Sequence, residues 1–568
     1  MTRGAVAKVV VVATVAPAPV TTDVAGRLAA LVAPVWRMRQ SPRFAALCAC
    51  FLRWWAALLL VASTGAAFAY YLWGVDSWRF AFVGDEWPFY ALAQSIAARH
   101  LLVNPFDMHG VYGFNAVLGS YYQAIFLLIF GDTNFAWRLS SVILIVPTSL
   151  FFYLWMRNGF GREAALLATL LLQASAFVAN YLKIGYVNGQ ALPLLVLCLY
   201  LASRFARHPS QKNAAWLGIA LGVSFYIYVG PLYPLFVAPA LLPLVAALRA
   251  RRLGWRELLG AAVVCVTCYL ALIAPGLFSL TSGASAASKT SFAREYSNNW
   301  QMVVNVGHDF LLFYANYDYF YNHFIAGPYL DVISRIFATL GIVVALLAVA
   351  RRRGRFRLAS LELLLTYTLV AVVIGVTSPY AYAATTRGIV FISFGAAFGG
   401  IGLAACADWL RRLHIPYPVI PHRLRVAFVA YILALLVAVI WTTNIYQSQI
   451  GVFQQTGYSA TGLLIGTIQQ AHQRHERRVV LLLSPQFPYA SYYYGQIPAI
   501  QRAYGVQDVF FIVETPLQAA QLSCGDQRTT QFVYFQADMT AAHSLPALPC
   551  AAANTANPPI ALTPGYLL

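Results

Sequence analysis

Long apolar segments separated by basic loops constrain this chain more than any other feature of its sequence. Eleven segments approach the length of about 20 residues that a membrane-spanning helix needs. They are residues 54–73, 138–156, 164–181, 190–203, 214–229, 231–248, 258–278, 333–350, 359–377, 388–409 and 426–443. Of the 568 residues, 60% are hydrophobic and only 10% are charged, which excludes a soluble enzyme, a coiled coil and a disordered chain. The pattern predicts a polytopic helical membrane protein with about 11 transmembrane helices.

The distribution of basic residues predicts how these helices are oriented. The formal net charge is +19, and 25 of the 38 Lys and Arg residues fall in the N-terminal segment or in every second loop. Cytoplasmic loops of membrane proteins collect Lys and Arg. We therefore expect a protein of the plasma (inner) membrane with a cytoplasmic N-terminus and an extracytoplasmic C-terminus. The positive charge is interpreted as a topology signal and not as a nucleic-acid-binding surface.

The loop lengths predict three domains. Residues 1–53 are expected to form a cytoplasmic tail, and residues 54–443 the transmembrane domain. Within that domain, loops 74–137 and 279–332 are long and are predicted to lie on the extracytoplasmic side, where a membrane enzyme would keep its chemistry. Residues 444–568 are expected to form a small extracytoplasmic α/β domain. The sequence leaves open whether Cys524 and Cys550 in this domain form a disulfide bond.

The C-terminal prediction rests on three short apolar runs. RRVVLLLS (477–484), DVFFIVE (508–514) and QFVYFQ (531–536) are typical of buried strands in a parallel sheet. Residues 459–477 have the pattern of an amphipathic helix that enters this domain. Neither a glycine-rich dinucleotide motif nor a P-loop accompanies the runs, so no nucleotide site is predicted.

One pair of adjacent carboxylates stands out in the first long loop. Asp85 and Glu86 lie between Gly84 and Trp87, shortly before the helical stretch 89–99. One interpretation of these acids is structural: an N-cap or first-turn carboxylate stabilises the N-terminus of a helix. At a membrane interface, a carboxylate also suits a base that deprotonates an acceptor hydroxyl.

The order of several motifs resembles a known family. GDTNFAWRLSSVILIVPTSLFFYLWMRNGFGREAALLATLLLQAS follows the acidic loop, and NYLKIGYVNGQALPLLVLCLYLASR and GVSFYIYVGPLYP come after it. Together these segments resemble the GT-C fold of membrane glycosyltransferases. The likeness is greatest to the family-39-like group, which includes protein O-mannosyltransferases and lipid A aminoarabinose transferases. It covers about residues 55–410.

The resemblance implies a site. Asp85 corresponds to the expected catalytic base, with Glu86 beside it, and Asn188 stands where many members have a second Asp. The implied donor is a polyprenyl-phosphate-linked sugar, whose phosphate needs cations such as Lys183 and Arg387, although both also suit simple snorkelling to the interface. Further candidates for substrate binding are Arg138, His308 and Tyr186. No cofactor is predicted with certainty and no metal site is assigned, but a divalent cation on Asp107, His109 and His308 stays open.

The sequence thus predicts an inverting glycosyltransferase that moves a hexosyl or pentosyl group from a polyprenyl-phosphate carrier to an acceptor hydroxyl on the extracytoplasmic face. The acceptor is a glycan, a lipid or a protein. Alternatives are a lipid or glycan transporter or flippase, a non-catalytic relative in envelope polymer assembly, and an oligosaccharyltransferase of the same fold. The near absence of ionisable residues within the spans weighs against a transporter.

Overall fold

The computed structural model describes most of the chain with gaps between its elements. The described residues are 42–75, 86–111, 115–250, 254–281, 299–317, 327–351, 356–377, 387–412, 422–446, 460–484, 497, 501–521, 530–535 and 560–562. The chain divides into two units, Met1–Leu59 and Leu60–Leu568. Of the first unit, the described part is the beginning of one helix. The predicted division at residues 53 and 443 stays a prediction.

Helices dominate the described residues. In chain order they are α1 Pro42–Leu72, α2 Glu86–Ala98, α3 Leu118–Phe130, α4 Asn134–Val142, α5 Ile145–Phe160, α6 Arg162–Ala174, α7 Ala176–Lys183, α8 Ala191–Arg207, α9 Gln211–Ser224, α10 Tyr233–Val237, α11 Leu242–Arg249, α12 Trp255–Thr281, α13 Asn299–Phe310, α14 Val332–Ala350, α15 Arg357–Thr377, α16 Ile392–Arg412, α17 His422–Tyr446, α18 Ala460–Gln473 and α19 Pro516–Ala520. Short 3₁₀ turns include Val187–Gln190, Gly230–Leu232 and Arg387–Val390.

The prediction of a polytopic helical membrane protein is confirmed. Among the described residues, 9 helical segments are long and apolar enough to cross a membrane, or up to 10 if a bent pair is one span. The bent pair is α6 and α7, which meet at an angle of 54°. Ser175 lies at the break, where its hydroxyl accepts a hydrogen bond from the backbone N–H of Val178 and so starts a new helix.

The predicted fifth span is shorter than expected. Residues 214–229 were expected to cross the membrane, but α9 has 14 residues and ends at Ser224. The chain then turns through Val229, whose φ of 54° is left-handed, into the 3₁₀ turn Gly230–Leu232. The apolar residues after Ser224 therefore form a turn at the end of the helix bundle and do not lengthen α9.

Small residues let α14 and α16 approach closely. A Cβ atom on Gly341 of α14 would lie 1.8 Å from the carbonyl oxygen of Phe398, and one on Gly402 of α16 would lie 2.1 Å from that of Phe337. Membrane helices lack a hydrophobic driving force between them, so close backbone packing of this kind is a main source of their association. The two glycines consequently fix α16 in the middle of the bundle, where most of its residues are buried.

The C-terminal residues form the expected small parallel sheet. Its strands are β3 Arg478–Leu482, β4 Phe510–Glu514, β5 Thr530–Phe535 and β6 Ile560–Leu562, in the order β4-β3-β5-β6 and all parallel. A short antiparallel pair of strands, β1 Asn316–Tyr317 and β2 Gly327–Pro328, comes between α13 and α14 in the sequence. The three predicted strands and the helix before them are confirmed, and β6 is an addition.

Replacing Gly341 with Ala tests the packing of α14 on α16. The new methyl group meets a backbone carbonyl, which cannot rotate away, so we expect a loss of about 1–3 kcal/mol of stability. Gly260→Ala is the matched control, because no described atom lies within 4 Å of a Cβ at that position in α12. Thermal unfolding in detergent should show a lower Tm for Gly341→Ala alone. Equal Tm values for the two variants would contradict the packing.

Candidate active site

The carboxylate of Glu86 lies in a buried ion pair at the start of α2. Its Oε1 is 2.7 Å from Nη1 of Arg138 and accepts a hydrogen bond of 2.7 Å from Nε1 of Trp137. The side chains of Glu86 and Arg138 are both 0% exposed. A buried charge is tolerated only when it is paired and hydrogen-bonded, and both conditions hold here. The geometry gives Glu86 a structural function, because its ion pair anchors the start of α2. Asp85, the preceding residue in the sequence, lies outside the described residues.

The guanidinium group of Arg138 is fully buried and contacts several groups within the protein. Its Nε donates to Oδ1 of Asn134 at 3.2 Å, and its Nη1 donates to the carbonyl oxygen of Lys183 at 2.7 Å and to that of Ile184. Arg138 was predicted to contact substrate. The structure instead places it between Glu86 and the backbone that follows α7, where it joins three segments of the chain.

Gly185 completes this buried cluster. It has a φ of +78°, and a Cβ at this position would lie 2.5 Å from Nε1 of Trp137 and 2.7 Å from Oε1 of Glu86. Its carbonyl oxygen accepts a hydrogen bond of 2.7 Å from Nε2 of Gln123. A side chain here would both strain the backbone and displace the ion pair, so only glycine fits.

A cavity of about 200 Å³ opens next to the cluster. Three parts of the chain form its wall. They are residues between 89 and 119, including Phe89, Met108 and Gly119, the 3₁₀ turn Val187–Gln190, and residues 225–231. The wall is mainly apolar and aromatic, with a few amide groups between. Such a composition is typical of sites for small organic ligands.

Asn188 supplies an uncommitted polar group to this cavity. The side chain is 1% exposed, and its Nδ2 has no hydrogen-bond partner among the described residues. The neighbouring Gln190 differs, because its Nε2 donates to the carbonyl oxygen of Gly119 at 3.0 Å. Buried polar atoms are nearly always paired, so an orphaned amide on a cavity wall is a group that a ligand can satisfy.

A second polar cluster joins the loop after α2 to the end of α12. The Ser279 hydroxyl donates to Oδ1 of Asp107 at 2.8 Å, and Nδ1 of His109 lies 2.9 Å from the same oxygen. Burial alone would raise the pKa of Asp107, but the hydrogen bonds from Ser279 and His109 together lower this pKa below its ordinary value. Asp107 thus stays ionised and ties the loop, including the cavity residue Met108, to α12. Sequence reasoning missed Ser279, which ends an apolar span without any motif.

The remaining predicted residues are spread around this region. Lys183 is 2% exposed, with its Nζ 5.1 Å from the ring centre of Tyr70. Tyr186 packs edge-on against Phe89, with ring centres 5.6 Å apart. His308 is exposed on α13. Arg387 begins the turn Arg387–Val390, but its side chain lies outside the described residues, as do Cys524 and Cys550.

The described residues do not assemble a metal site. Within them, no group of three or more His, Cys, Asp or Glu side chains is arranged to hold a metal ion. Asp107 and His109 come together as described, while His308 belongs to the separate helix α13.

Comparison with known proteins confirms the predicted resemblance. Residues 115–278 match the model of the family described as dolichyl-phosphate-mannose-protein mannosyltransferase. That range contains Arg138, Gly185 and Asn188. A search of the curated proteins finds no match.

The fold is that of the GT-C membrane glycosyltransferases. The chain is similar to the oligosaccharyltransferase of Archaeoglobus fulgidus, solved in complex with Zn and sulfate, with a TM-score of 0.50 and 14% identity over 81% of this chain. It spans 62% of the length of that enzyme. A further similar structure is ArnT from Cupriavidus metallidurans bound to undecaprenyl phosphate, with a TM-score of 0.45, 14% identity, and coverage of 80% of this chain and 89% of that chain.

The buried ion pair predicts a specific pattern of stability. Glu86→Gln or Arg138→Met leaves one buried charge without its partner, which costs about 3–5 kcal/mol. The double variant should lose less than the sum of both, since it removes the two charges together. Unfolding of the purified variants by denaturant measures this.

The matched control for this experiment is the ion pair between Glu163 and Arg411. Its side chains are 37% and 30% exposed, so Glu163→Gln should cost at most about 1 kcal/mol. Strictly additive losses for Glu86→Gln and Arg138→Met would contradict the coupling of these two charges.

Proposed function

We propose that this protein is a membrane glycosyltransferase that moves one sugar from a polyprenyl-phosphate carrier to an acceptor hydroxyl on the extracytoplasmic face. The observation that carries the proposal is the cavity beside α2, with the buried amide of Asn188 on its wall. The matched family model, whose description names a dolichyl-phosphate sugar donor, supports the carrier class. The acceptor is a glycan, a lipid or a protein.

The position of the cavity supports the assigned face of the membrane. The span Asn134–Phe160 begins at the Arg138 cluster and reaches Arg157 near its other end. The span Val187–Arg207 begins at the cavity with Asn188 and ends with Arg204 and Arg207. Both spans thus have the cavity at one end and basic residues at the other. Because the basic loops are expected in the cytoplasm, the cavity is assigned to the extracytoplasmic side.

Asp85 is the base in the proposed reaction. Asp85 directly precedes Glu86 in the sequence, and the ion pair of Glu86 fixes the first turn of α2. The Asp85 carboxylate takes the proton of the acceptor hydroxyl as the new bond from oxygen to the anomeric carbon forms. The bond from that carbon to the phosphate oxygen breaks, and the polyprenyl phosphate leaves. This single displacement inverts the anomeric centre.

The other predicted residues have binding functions in this scheme. Asn188 is neutral, so it cannot take up a proton, but its Nδ2 can donate a hydrogen bond to a sugar hydroxyl. Lys183 and Arg387 are the cations assigned to the leaving phosphate, whose developing charge they would stabilise. Glu86 is paired with Arg138 and anchors the start of α2, so it is not the residue assigned to transfer the proton.

The size of the cavity favours a monosaccharide over an oligosaccharide. A volume of about 200 Å³ lies below the roughly 300–1,000 Å³ of typical pockets for small organic ligands. A lipid-linked oligosaccharide, the donor expected of an oligosaccharyltransferase, would need a longer groove. Transfer of a single sugar is therefore the first candidate.

The base assignment predicts the behaviour of Asp85→Asn. Loss of a general base lowers kcat by about 10²–10⁴-fold, whereas the amide preserves size and polarity. Release of polyprenyl phosphate by purified protein measures this, with a panel of polyprenyl-phosphate monosaccharides and lipid-linked oligosaccharides as donors.

Asp408→Asn is the control for the base experiment. Its carboxylate is 53% exposed and pairs with Arg412 at the basic end of α16, so this variant should keep wild-type turnover. Wild-type turnover in Asp85→Asn would refute the base assignment. Turnover with an oligosaccharide donor only would favour the second candidate.

The orphaned amide predicts a smaller effect for Asn188→Ala. One hydrogen bond to a neutral sugar hydroxyl is worth about 0.5–1.5 kcal/mol, so kcat/KM should fall by about three- to tenfold. The control is Asn213→Ala, which removes a buried amide on the side of the basic loops. The Nδ2 of Asn213 donates to the backbone carbonyl oxygen of His208, away from the cavity, so this variant should leave kcat/KM unchanged. Equal values of kcat/KM for wild type and Asn188→Ala would show that no ligand uses this group.

A further inference from the structure

A polar cluster joins the C-terminal α/β residues to α2. Arg502 lies just before β4, and its Nη2 donates a hydrogen bond of 3.1 Å to Oε1 of Gln94 in α2. Its Nε lies 4.0 Å from Oδ2 of Asp132, which precedes α4. Arg502 and Gln94 are more than 400 residues apart in the sequence, but they are in direct contact in the fold.

The amide of Gln94 has a defined orientation in this cluster. Its Nε2 donates to Oδ1 and Oδ2 of Asp132 at 2.9 and 2.8 Å, so its oxygen faces the guanidinium group of Arg502. A flipped amide would place its oxygen against a carboxylate and its NH₂ group against a cation. Asp132 therefore binds the NH₂ group of the Gln94 amide, and Arg502 binds its oxygen.

Tyr90 extends the cluster towards the candidate active site. Its hydroxyl donates to Oδ1 of Asp132 at 2.6 Å, and its ring packs edge-on against Trp137 with centres 5.1 Å apart. Burial and the nearby charge of Asp132 raise the pKa of Tyr90 well above its ordinary value, so the hydroxyl keeps its proton and stays a donor. Trp137 in turn donates to Glu86. A continuous set of contacts thus leads from Arg502 to the residue beside Asp85.

Burial determines which contacts of the cluster matter. Tyr90 is 0% and Gln94 8% exposed, whereas the side chains of Arg502 and Asp132 are 47% and 41% exposed. The charge attraction across 4.0 Å is screened by solvent and contributes little. The hydrogen bond to the buried amide is the stronger contact, because Gln94 loses a partner when it breaks.

We propose that Arg502 is a positioning residue through which the C-terminal α/β residues hold α2, the helix whose Phe89 lines the cavity. Arg502 lies outside the described lining of the cavity, so its effect passes through Gln94 and the helix. The kinetic consequence rests on the proposed glycosyl transfer, since it assumes that Asp85 is the base. The structural consequence, a stiffer α2, does not depend on any activity.

The test compares Arg502→Gln with wild type in the full-length protein in lipid nanodiscs. Amide hydrogen exchange over residues 86–98 should become at least about threefold faster in the variant, since one hydrogen bond on the helix is lost. Exchange over residues 332–350 should stay unchanged. In the transfer assay, kcat should fall by about three- to tenfold while KM for the donor stays within about twofold.

Two further variants separate positioning from general destabilisation. Arg474→Gln is the matched control, because Arg474 is 57% exposed and pairs with Glu476 within the C-terminal residues. It should change neither exchange nor kcat. Gln94→Leu removes this contact together with the hydrogen bonds to Asp132, so its effect should be at least as large as that of Arg502→Gln. The double variant should resemble Gln94→Leu alone, since the contact with Arg502 is already lost there.

The outcomes are distinct. Unchanged exchange over 86–98 in Arg502→Gln, or effects of Arg502→Gln and Gln94→Leu that simply add, would overturn the positioning function. Faster exchange in a protein whose wild type transfers no sugar would support the hold on α2 and refute the glycosyltransferase assignment. A raised KM with unchanged kcat would also overturn the proposal, because it would assign Arg502 to substrate binding.

Discussion

The ion pair between Glu86 and Arg138 is the interaction on which the rest of the site depends. Two charges that are fully removed from water attract strongly only when their remaining hydrogen-bonding capacity is satisfied. Trp137 and the carbonyl groups of residues 183 and 184 meet that requirement. The pair therefore brings together the start of α2, the start of α4 and the backbone after α7. The turn Val187–Gln190, which forms part of the cavity wall, follows directly from this junction.

This arrangement separates structural charge from chemical function. Glu86 and Arg138 look like catalytic residues by type, but both side chains are fully buried and their charges neutralise each other. The cavity itself presents a neutral amide at Asn188, while the carboxylate assigned to the proposed reaction is Asp85, the residue before Glu86 in the sequence. Such a division suits a site next to a lipid membrane, because an unpaired buried charge in the cavity would be costly before substrate arrives.

The sequence was sufficient for features that local pattern determines. Spans such as 333–350 and the strand around Val480 follow from apolar runs, and the acidic pair follows from its rarity in a chain with few carboxylates. Partners distant in sequence were not predictable. Nothing near Glu86 indicates that Trp137, 51 residues later, donates to it. Likewise β6 has only three residues, and it exists because β5 offers an edge, not because of its own propensity.

The short helix α2 explains why distant residues matter for the site. A helix of 13 residues is marginal by itself in water, so its position is set by what holds it. Its first residue is fixed by the buried ion pair, and Gln94, two turns further on, is fixed by Asp132 and Arg502. These two sets of contacts lie two turns apart and add to the packing of its buried face, so together they define the direction of α2. The proposed base, Asp85, directly precedes α2 in the sequence, so contacts from the C-terminal residues and from the membrane helices meet on the helix that follows it.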